Sequence, residues 1–200
     1  GAMRPALAKL LSEKVVEEGT SVRLGTSYTA LDPETGHVSF TDDTEKTYDL
    51  IVAADGFWSK TRELLFPKAP KAVYLGQVIW RAVIARPKNL PTMAMWMGPK
   101  LKAGINHVSK DQSYLFLTED RPVNALADRT TFVADLKTLL ANFPSPTLGK
   151  VAAAIGEDSS IDLRPAEKLL LPKPWYQGRV ILIGDAVHAT TPHLASGALI

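Results

Sequence analysis

The run Val180-Ile181-Leu182-Ile183, followed at once by Gly184-Asp185 and then by Ala186-Val187-His188-Ala189-Thr190-Thr191-Pro192, constrains this chain more than any other segment. Successive large aliphatic residues behind Gly178-Arg179 leave no polar face, the pattern of a short strand covered on both sides. The glycine lets the backbone turn sharply, so the acid stands between the strand's carboxyl end and the next helix. Open α/β sheets present polar groups to ligands at that place. An ionised acceptor there suits a hydroxyl-bearing ligand, because charge-assisted hydrogen bonds are the stronger kind.

A second segment has the same design. Asp49-Leu50-Ile51-Val52-Ala53-Ala54 is apolar after its first residue and predicts another strand buried on both faces; Asp55-Gly56-Phe57-Trp58-Ser59-Lys60-Thr61-Arg62 follows it. A carboxylate and a glycine again meet at a strand end, where the backbone can approach a ligand closely. Ser59 also stands where it would cap a helix starting near Lys60. Residues 55–62 fit either reading, a plain turn or a ligand contact.

Charge and composition remove several functions. The net charge of +2 comes from Lys and Arg scattered among acids, so there is no electrostatic case for nucleic acid or a membrane surface. The absence of cysteine excludes disulfides, thiolate nucleophiles, zinc–cysteine sites and iron–sulfur clusters; a reducing cytoplasm is the natural setting, and other compartments are also permitted. No apolar run approaches the roughly 20 residues that span a bilayer. His188 and His193 lack clustered carboxylates, so no metal site is expected and His188 reads as a packing or loop-positioning residue. His37 and His107 lie in strand-like contexts and receive no role.

Along the chain, Leu7, Leu10, Leu11 and Val15 recur at helical spacing, with Gly19 placed to end the helix. Ser21–Leu24, Tyr28–Leu31 and His37–Phe40 then predict a small β-meander, with Asp32-Pro33-Glu34-Thr35-Gly36 as one turn. Strands are predicted at Val73–Ala85, Thr92–Met97, Leu101–Val108 and Ser113–Thr118, joined by tight turns and therefore antiparallel. Helices follow at Thr131–Asn142 and Thr147–Ile155, then extended chain at Ile161–Leu171. The predicted class is mixed, α/β plus α+β: part of an α/β domain, an inserted antiparallel sheet with helices, and a return to the first domain. Gly1-Ala2-Met3 reads as the remnant of a cleaved tag and residues 194–200 as the opening of a helix, so the sequence reads as a piece of something longer.

The two acid–glycine segments together resemble the GD and DG fingerprints of the flavin-dependent aromatic hydroxylases, the p-hydroxybenzoate hydroxylase-like and salicylate hydroxylase-like monooxygenases. The resemblance implies a partial FAD-binding three-layer domain at residues 1–70, a substrate-binding sheet domain at 71–171 and a return to the FAD-binding domain at 172–200. It implies FAD as cofactor and NADH or NADPH as reductant. One hydroxyl would be placed on an aromatic, acidic or phenolic substrate. On this resemblance Gly184 and Asp185 meet a hydroxyl of the FAD chain, Pro192 and Gly197 shape the turn beside the flavin ring, and Asp55 and Gly56 lie by the dinucleotide with Arg62 holding their loop. Arg4, in Arg4-Pro5-Ala6-Leu7, matches an R-x-x-L whose arginine lies near the FAD phosphates, and Tyr28 falls near the adenine. Ala195 and Leu199 stand where members often carry glycine. The family's G-x-G-x-x-G phosphate cradle does not occur in this sequence. The competing reading is a non-catalytic, flavin-free domain that self-associates.

No nucleophile, dyad or metal set is present, which suits chemistry carried by a cofactor. In the inserted sheet, Met93, Met95 and Met97 share one strand face, with Tyr114 and Phe116 two strands later. That face is expected to pack mostly on the helices of residues 131–155. Arg81 and Tyr114 are the exceptions, assigned to the substrate, with Arg81 placed to meet a carboxylate or phenolate.

Overall fold

The computed structural model describes residues 3–121 and 128–194. The chain folds as two units, one of residues 1–20 and 76–166, the other of 21–75 and 167–200.

The first unit begins with α1 (Arg4–Glu17), whose Pro5 sits in the first turn, where a missing N–H costs nothing. Thr20 N–H bonds back to the Val15 carbonyl beyond Gly19, which closes the helix end as the sequence predicts. No residue of α1 is buried; Leu7, Leu10, Leu11, Val15 and Val16 are all exposed. The rest of the unit is built on the sheet of β5 (Val73–Ala85), β6 (Ala94–Gly98), β7 (Leu101–His107), β8 (Gln112–Asp120) and β9 (Ile161–Lys168), in the order β6-β7-β8-β5-β9. The pairings β6–β7 and β7–β8 are antiparallel, as tight turns between sequential strands require, and β5 pairs with β8 antiparallel as well. Two helices, α3 (Phe132–Leu140) and α4 (Pro146–Ala154), cover one face. Ser145 caps α4, its hydroxyl accepting from Leu148 N–H.

The register decides which face that is. Trp80 pairs with Leu117, Leu117 with Ala103, and Leu115 with Ile105 and Ala82. All of these are buried, and the Trp80 ring meets Phe132 of α3 edge to face, 5.2 Å between centroids. Their alternates, Arg81, Tyr114 and Phe116, lie on the other face together with Met95 and Met97. The expectation that the methionine face packs on the helices is therefore overturned. Met93, Met95 and Met97 are 61%, 49% and 74% exposed. The helices take the opposite alternation because Trp80, Ala103, Ile105, Leu115 and Leu117 offer the larger continuous apolar area.

The second unit contains the meander β1 (Tyr28–Asp32), β2 (His37–Phe40) and β3 (Glu45–Thr47), all antiparallel. Ser21–Leu24 forms no strand. The first turn is held by Asp32, whose carboxylate accepts from Glu34 N–H at 2.9 Å and Thr35 Oγ1 at 2.6 Å. The remaining elements are β4 (Ile51–Ala53), α2 (Lys60–Leu65), β10 (Tyr176–Gln177), β11 (Val180–Leu182) and α5 (Asp185–His188). Strands β4 and β11 pair in parallel, Ile51 with Val180 and Ala53 with Leu182, over a core of Ala53, Leu65, Leu171, Val180, Leu182, Ala186 and Val187. Burial on both faces is not found on either strand: Val180 and Leu182 are buried on one face of β11, but Ile183 is 44% exposed on the other, and along the β4 segment Leu50 is 64% and Val52 51% exposed. Strand β4 is the edge of its sheet among the described residues, so it lacks the neighbour that would cover it.

Candidate functional site

Parallel pairing of β4 and β11 brings the two acid–glycine turns, distant in sequence, to the carboxyl ends of adjacent strands. Ile183 N–H bonds to the Ala53 carbonyl at 3.0 Å, carrying the pairing up to the turns themselves. Gly56 has φ 77° and Gly184 φ 61° with ψ −141°, conformations that a side chain disfavours; a Cβ at either would meet nothing within 4 Å, so backbone shape rather than space requires glycine there.

The two acids differ in what they touch. Asp55 Oδ1 accepts from Ser59 Oγ at 2.6 Å, and its Oδ2 accepts from Thr61 N–H at 3.0 Å and Thr61 Oγ1 at 2.9 Å. Ser59 in turn caps α2, accepting from Arg62 N–H at 2.9 Å. Partial desolvation works against the Asp55 charge, yet the hydrogen bonds from Ser59 and Thr61 together hold its carboxyl below the usual carboxylate range. Asp185 is exposed, and its carboxylate has no hydrogen bond or ion pair among the described residues. Both of Asp55's oxygens are engaged within its own loop; Asp185 is the acceptor left open to a ligand.

Arg62 fastens the turns. It is buried, and its guanidinium donates from Nη1 to the Ala186 carbonyl at 2.9 Å and from Nη2 to the Phe57 carbonyl at 2.8 Å. One side chain thus ties the loop after β4 to the first turn of α5. Tyr28 Oη lies 3.2 Å from Thr61 Oγ1, and Tyr28, Thr61 and Asp55 line one cavity of about 570 Å³ with Ala53, Ala54 and Phe40. Pro192 opens a short 3-10 turn, Pro192–Leu194. Gly197, with Ala195 and Leu199, lies outside the described residues. Trp175 and His188 rings stand 5.5 Å apart, consistent with His188 as a packing residue, although its Nδ1 is buried without a partner. Among the described residues no group of His, Asp and Glu is placed to hold a metal.

In the sheet unit, Arg81 and Tyr114 share the face that the helices leave open. Arg81 Nε is buried without a partner. Burial is the chief influence on the Tyr114 hydroxyl and raises its pKa; the charges of Arg81 and Arg4 oppose that, and Asp162 adds to it. Tyr114 is thus a neutral phenol at physiological pH, able to donate and accept. Arg4, at the start of α1, belongs to this unit.

Residues 2–198 match the FAD binding domain family. The chain belongs to that family. It is 29% identical over 187 residues to the FAD-dependent urate hydroxylase of Klebsiella pneumoniae, covering 88% of this chain and 47% of the relative. It is 28% identical over 177 residues to the 6-hydroxynicotinate 3-monooxygenase of Bordetella bronchiseptica, covering 84% and 45%. The crystal structure of Klebsiella pneumoniae HpxO complexed with FAD and uric acid superposes with a TM-score of 0.79 at 26% identity, over 95% of this chain and 50% of that one. The chain spans about half the length of the relatives it matches, and its mixed α and β architecture is that of FAD-dependent monooxygenases of the p-hydroxybenzoate hydroxylase type. No helix among the described residues is long and apolar enough to cross a membrane.

The Asp55 cluster makes a pH prediction. A carboxyl held below its ordinary value of 3.8 contributes stability that is present above that value and lost as pH falls through the lowered folded value. Asp55→Asn should lower the melting temperature at pH 7 by several degrees and flatten the loss of stability below about pH 4. A variant that melts like wild type at both pH values would show that the cluster carries no stability.

Proposed function

We propose that this chain is part of an FAD-dependent monooxygenase that hydroxylates a planar, acidic or phenolic aromatic substrate with NADH or NADPH and O₂, in the cytoplasm. The observation that carries this reading is the exposed, partnerless Asp185 carboxylate behind Gly184, in a chain of the FAD-binding family. The donor set fits the hydroxyl-bearing part of the cofactor; the glycine-rich phosphate cradle is not in this sequence. Bound FAD would supply the redox chemistry, taking electrons from the nicotinamide and activating oxygen.

The protein's own residues bind and orient. Asp185 accepts a hydrogen bond from a cofactor hydroxyl, Gly184, Gly56 and Pro192 shape the backbone around it, and Arg62 keeps the two turns in register. The resemblance alone assigns Arg4 to the phosphates and Tyr28 to the adenine, and it puts Asp55 and Gly197 near the cofactor. Asp55's engaged oxygens suit it to hold the loop there. On the open sheet face Arg81 pairs with the substrate's carboxylate or phenolate and Tyr114 bonds a substrate oxygen. No side chain acts as nucleophile, and none is assigned a catalytic proton. The relatives named for urate and for 6-hydroxynicotinate support a planar heteroaromatic acid as the substrate class.

The test is made on the polypeptide at its relatives' full length, supplied with FAD, NADH or NADPH, ¹⁸O₂ and 6-hydroxynicotinate or urate. One labelled oxygen in the aromatic product is expected. Reductant oxidation with no labelled product from any aromatic acid offered would contradict the reading. Arg81→Ala should raise KM at least tenfold and leave FAD affinity unchanged; loss of flavin instead would make the sheet mere scaffold.

A second reading, a flavin-free domain that self-associates, draws on the exposed apolar residues of α1 and the open edge of β4. The 200-residue chain alone should retain FAD weakly or not at all and form dimers or larger species in light scattering. A monodisperse monomer at high concentration, or slowly dissociating stoichiometric FAD, would go against those expectations.

A further inference from the structure

On the open face of the sheet, one row of residues crosses four strands: Met95 pairs with Gly104, Gly104 with Phe116, and Phe116 with Arg81. Paired residues of an antiparallel ladder project to the same side, so Phe116 stands between a glycine and an arginine. The glycine leaves the space that the ring occupies. A Cβ on Gly104 would lie 2.3 Å from Cζ and 2.4 Å from Cε1 of Phe116, so the end of the phenyl ring fills the room that any side chain would take. Lys102, two residues along β7 on the same face, holds its ammonium over the ring, 5.9 Å from its centre. Tyr114, two residues along β8, has its ring 6.4 Å from that of Phe116, tilted by 32°. Arg81 Nε, on the other flank, is buried without a partner.

A ring seated on a neighbour's backbone is preorganised, because it has little freedom to lose when something flat settles on it. Arg81 beside the ring and Lys102 over it favour a guest that carries an anionic group over a neutral one. We propose that Phe116, seated over Gly104 with Arg81 beside it and the Lys102 ammonium over it, is the stacking platform that selects a planar aromatic acid over a non-planar acid of the same charge and size. This rests on the reading that the open face takes an aromatic acid. It adds the residues that sense flatness, where Arg81 senses charge.

The experiment measures dissociation constants of salicylate and of 2-hydroxycyclohexanecarboxylate by calorimetric titration of the polypeptide at its relatives' full length. The two acids share charge and substituents and differ in ring planarity. Wild type should prefer salicylate by about three- to tenfold, the range of aromatic pairing. Phe116→Leu should bring that ratio close to one while both acids still bind, and Phe116→Tyr should keep it. Gly104→Ala should also lose the preference by displacing the ring; its circular dichroism is compared with wild type, and if it misfolds Phe116→Leu decides alone. Arg81→Ala should weaken both acids and preserve their ratio. A ratio unchanged in Phe116→Leu, with both acids weakened by Arg81→Ala, overturns the platform and leaves the substrate face standing. If neither acid binds wild type, or Arg81→Ala changes nothing, the substrate face fails and the platform with it.

Discussion

Trp80→Ala is expected to destabilise the sheet unit by about 3–5 kcal/mol, the range for deleting a large aromatic side chain from a packed core. Trp80 is wholly buried, its ring packs edge to face on Phe132, and its Nε1 donates to Glu119 Oε2 at 2.8 Å. Arg121 lies 5.5 Å over the same ring and pairs with Glu119 at 3.2 Å, so truncation removes the surface on which that ion pair rests. Marginal proteins have total stabilities of only about 5–15 kcal/mol, so much of the unit's stability hangs on this side chain. Urea unfolding followed by circular dichroism gives the number, and Trp80→Phe should recover more than half by restoring the ring without the Glu119 bond. A loss under about 1 kcal/mol in Trp80→Ala would mean that the helices are not held on this face by the tryptophan.

The second large effect is expected at Arg62. Removing its guanidinium in Arg62→Ala strips the Ala186 and Phe57 carbonyls of charged donors and separates the loop after β4 from α5. Hydrogen bonds to charged groups contribute about 1.5–3 kcal/mol each, and the pair shares one side chain, so a loss of about 3 kcal/mol is expected. Arg62→Lys should recover less than half, since one ammonium cannot reproduce a planar fork that reaches two carbonyls. Amide hydrogen exchange locates the effect: Val187 and His188, whose N–H groups bond to the Gly184 carbonyl, should exchange faster in the variant. Protection as in wild type would show that the two turns hold their positions without the clamp.

The strands of the inserted sheet were legible in the sequence because turn residues and alternation mark them: β5 occupies Val73–Ala85 as predicted, and β7 and β8 differ from expectation only at their ends. Which face the helices take was not legible. Period two shows that Met93, Met95 and Met97 lie together, but the covering of a face is decided by residues on other strands, here Ala103, Ile105, Leu115 and Leu117, and by Trp80 meeting Phe132. The exposed edge of β4 was hidden for a similar reason. An apolar run records a strand's suitability for burial, whereas burial itself depends on a neighbouring strand.

The candidate cofactor acids show the same boundary within a few residues. Asp55 and Asp185 look alike as an acid beside a glycine at a strand end. What separates them is downstream: Ser59 and Thr61 stand four and six residues after Asp55 and engage both its oxygens, whereas the fourth residue after Asp185 is Ala189 and the sixth, Thr191, pairs its hydroxyl with His193 Nδ1 at 2.8 Å. The contrast of Ser59 with Ala189 was present in the sequence as a signal; the separate pairing of Thr191 was not. Nor was Phe116 over Gly104, because the two residues meet only through the register of β7 with β8.

The account turns on Asp185 as the open acceptor for FAD and Asp55 as an acid occupied within its own loop. The direct measurement is FAD affinity by flavin fluorescence, in the polypeptide at its relatives' full length, for wild type, Asp185→Ala and Asp55→Asn. Loss of one charge-assisted hydrogen bond, about 1.5–3 kcal/mol, predicts that Asp185→Ala weakens FAD about tenfold to hundredfold. Asp55→Asn should change affinity less than Asp185→Ala while lowering the melting temperature. Wild-type affinity in Asp185→Ala would contradict the assignment.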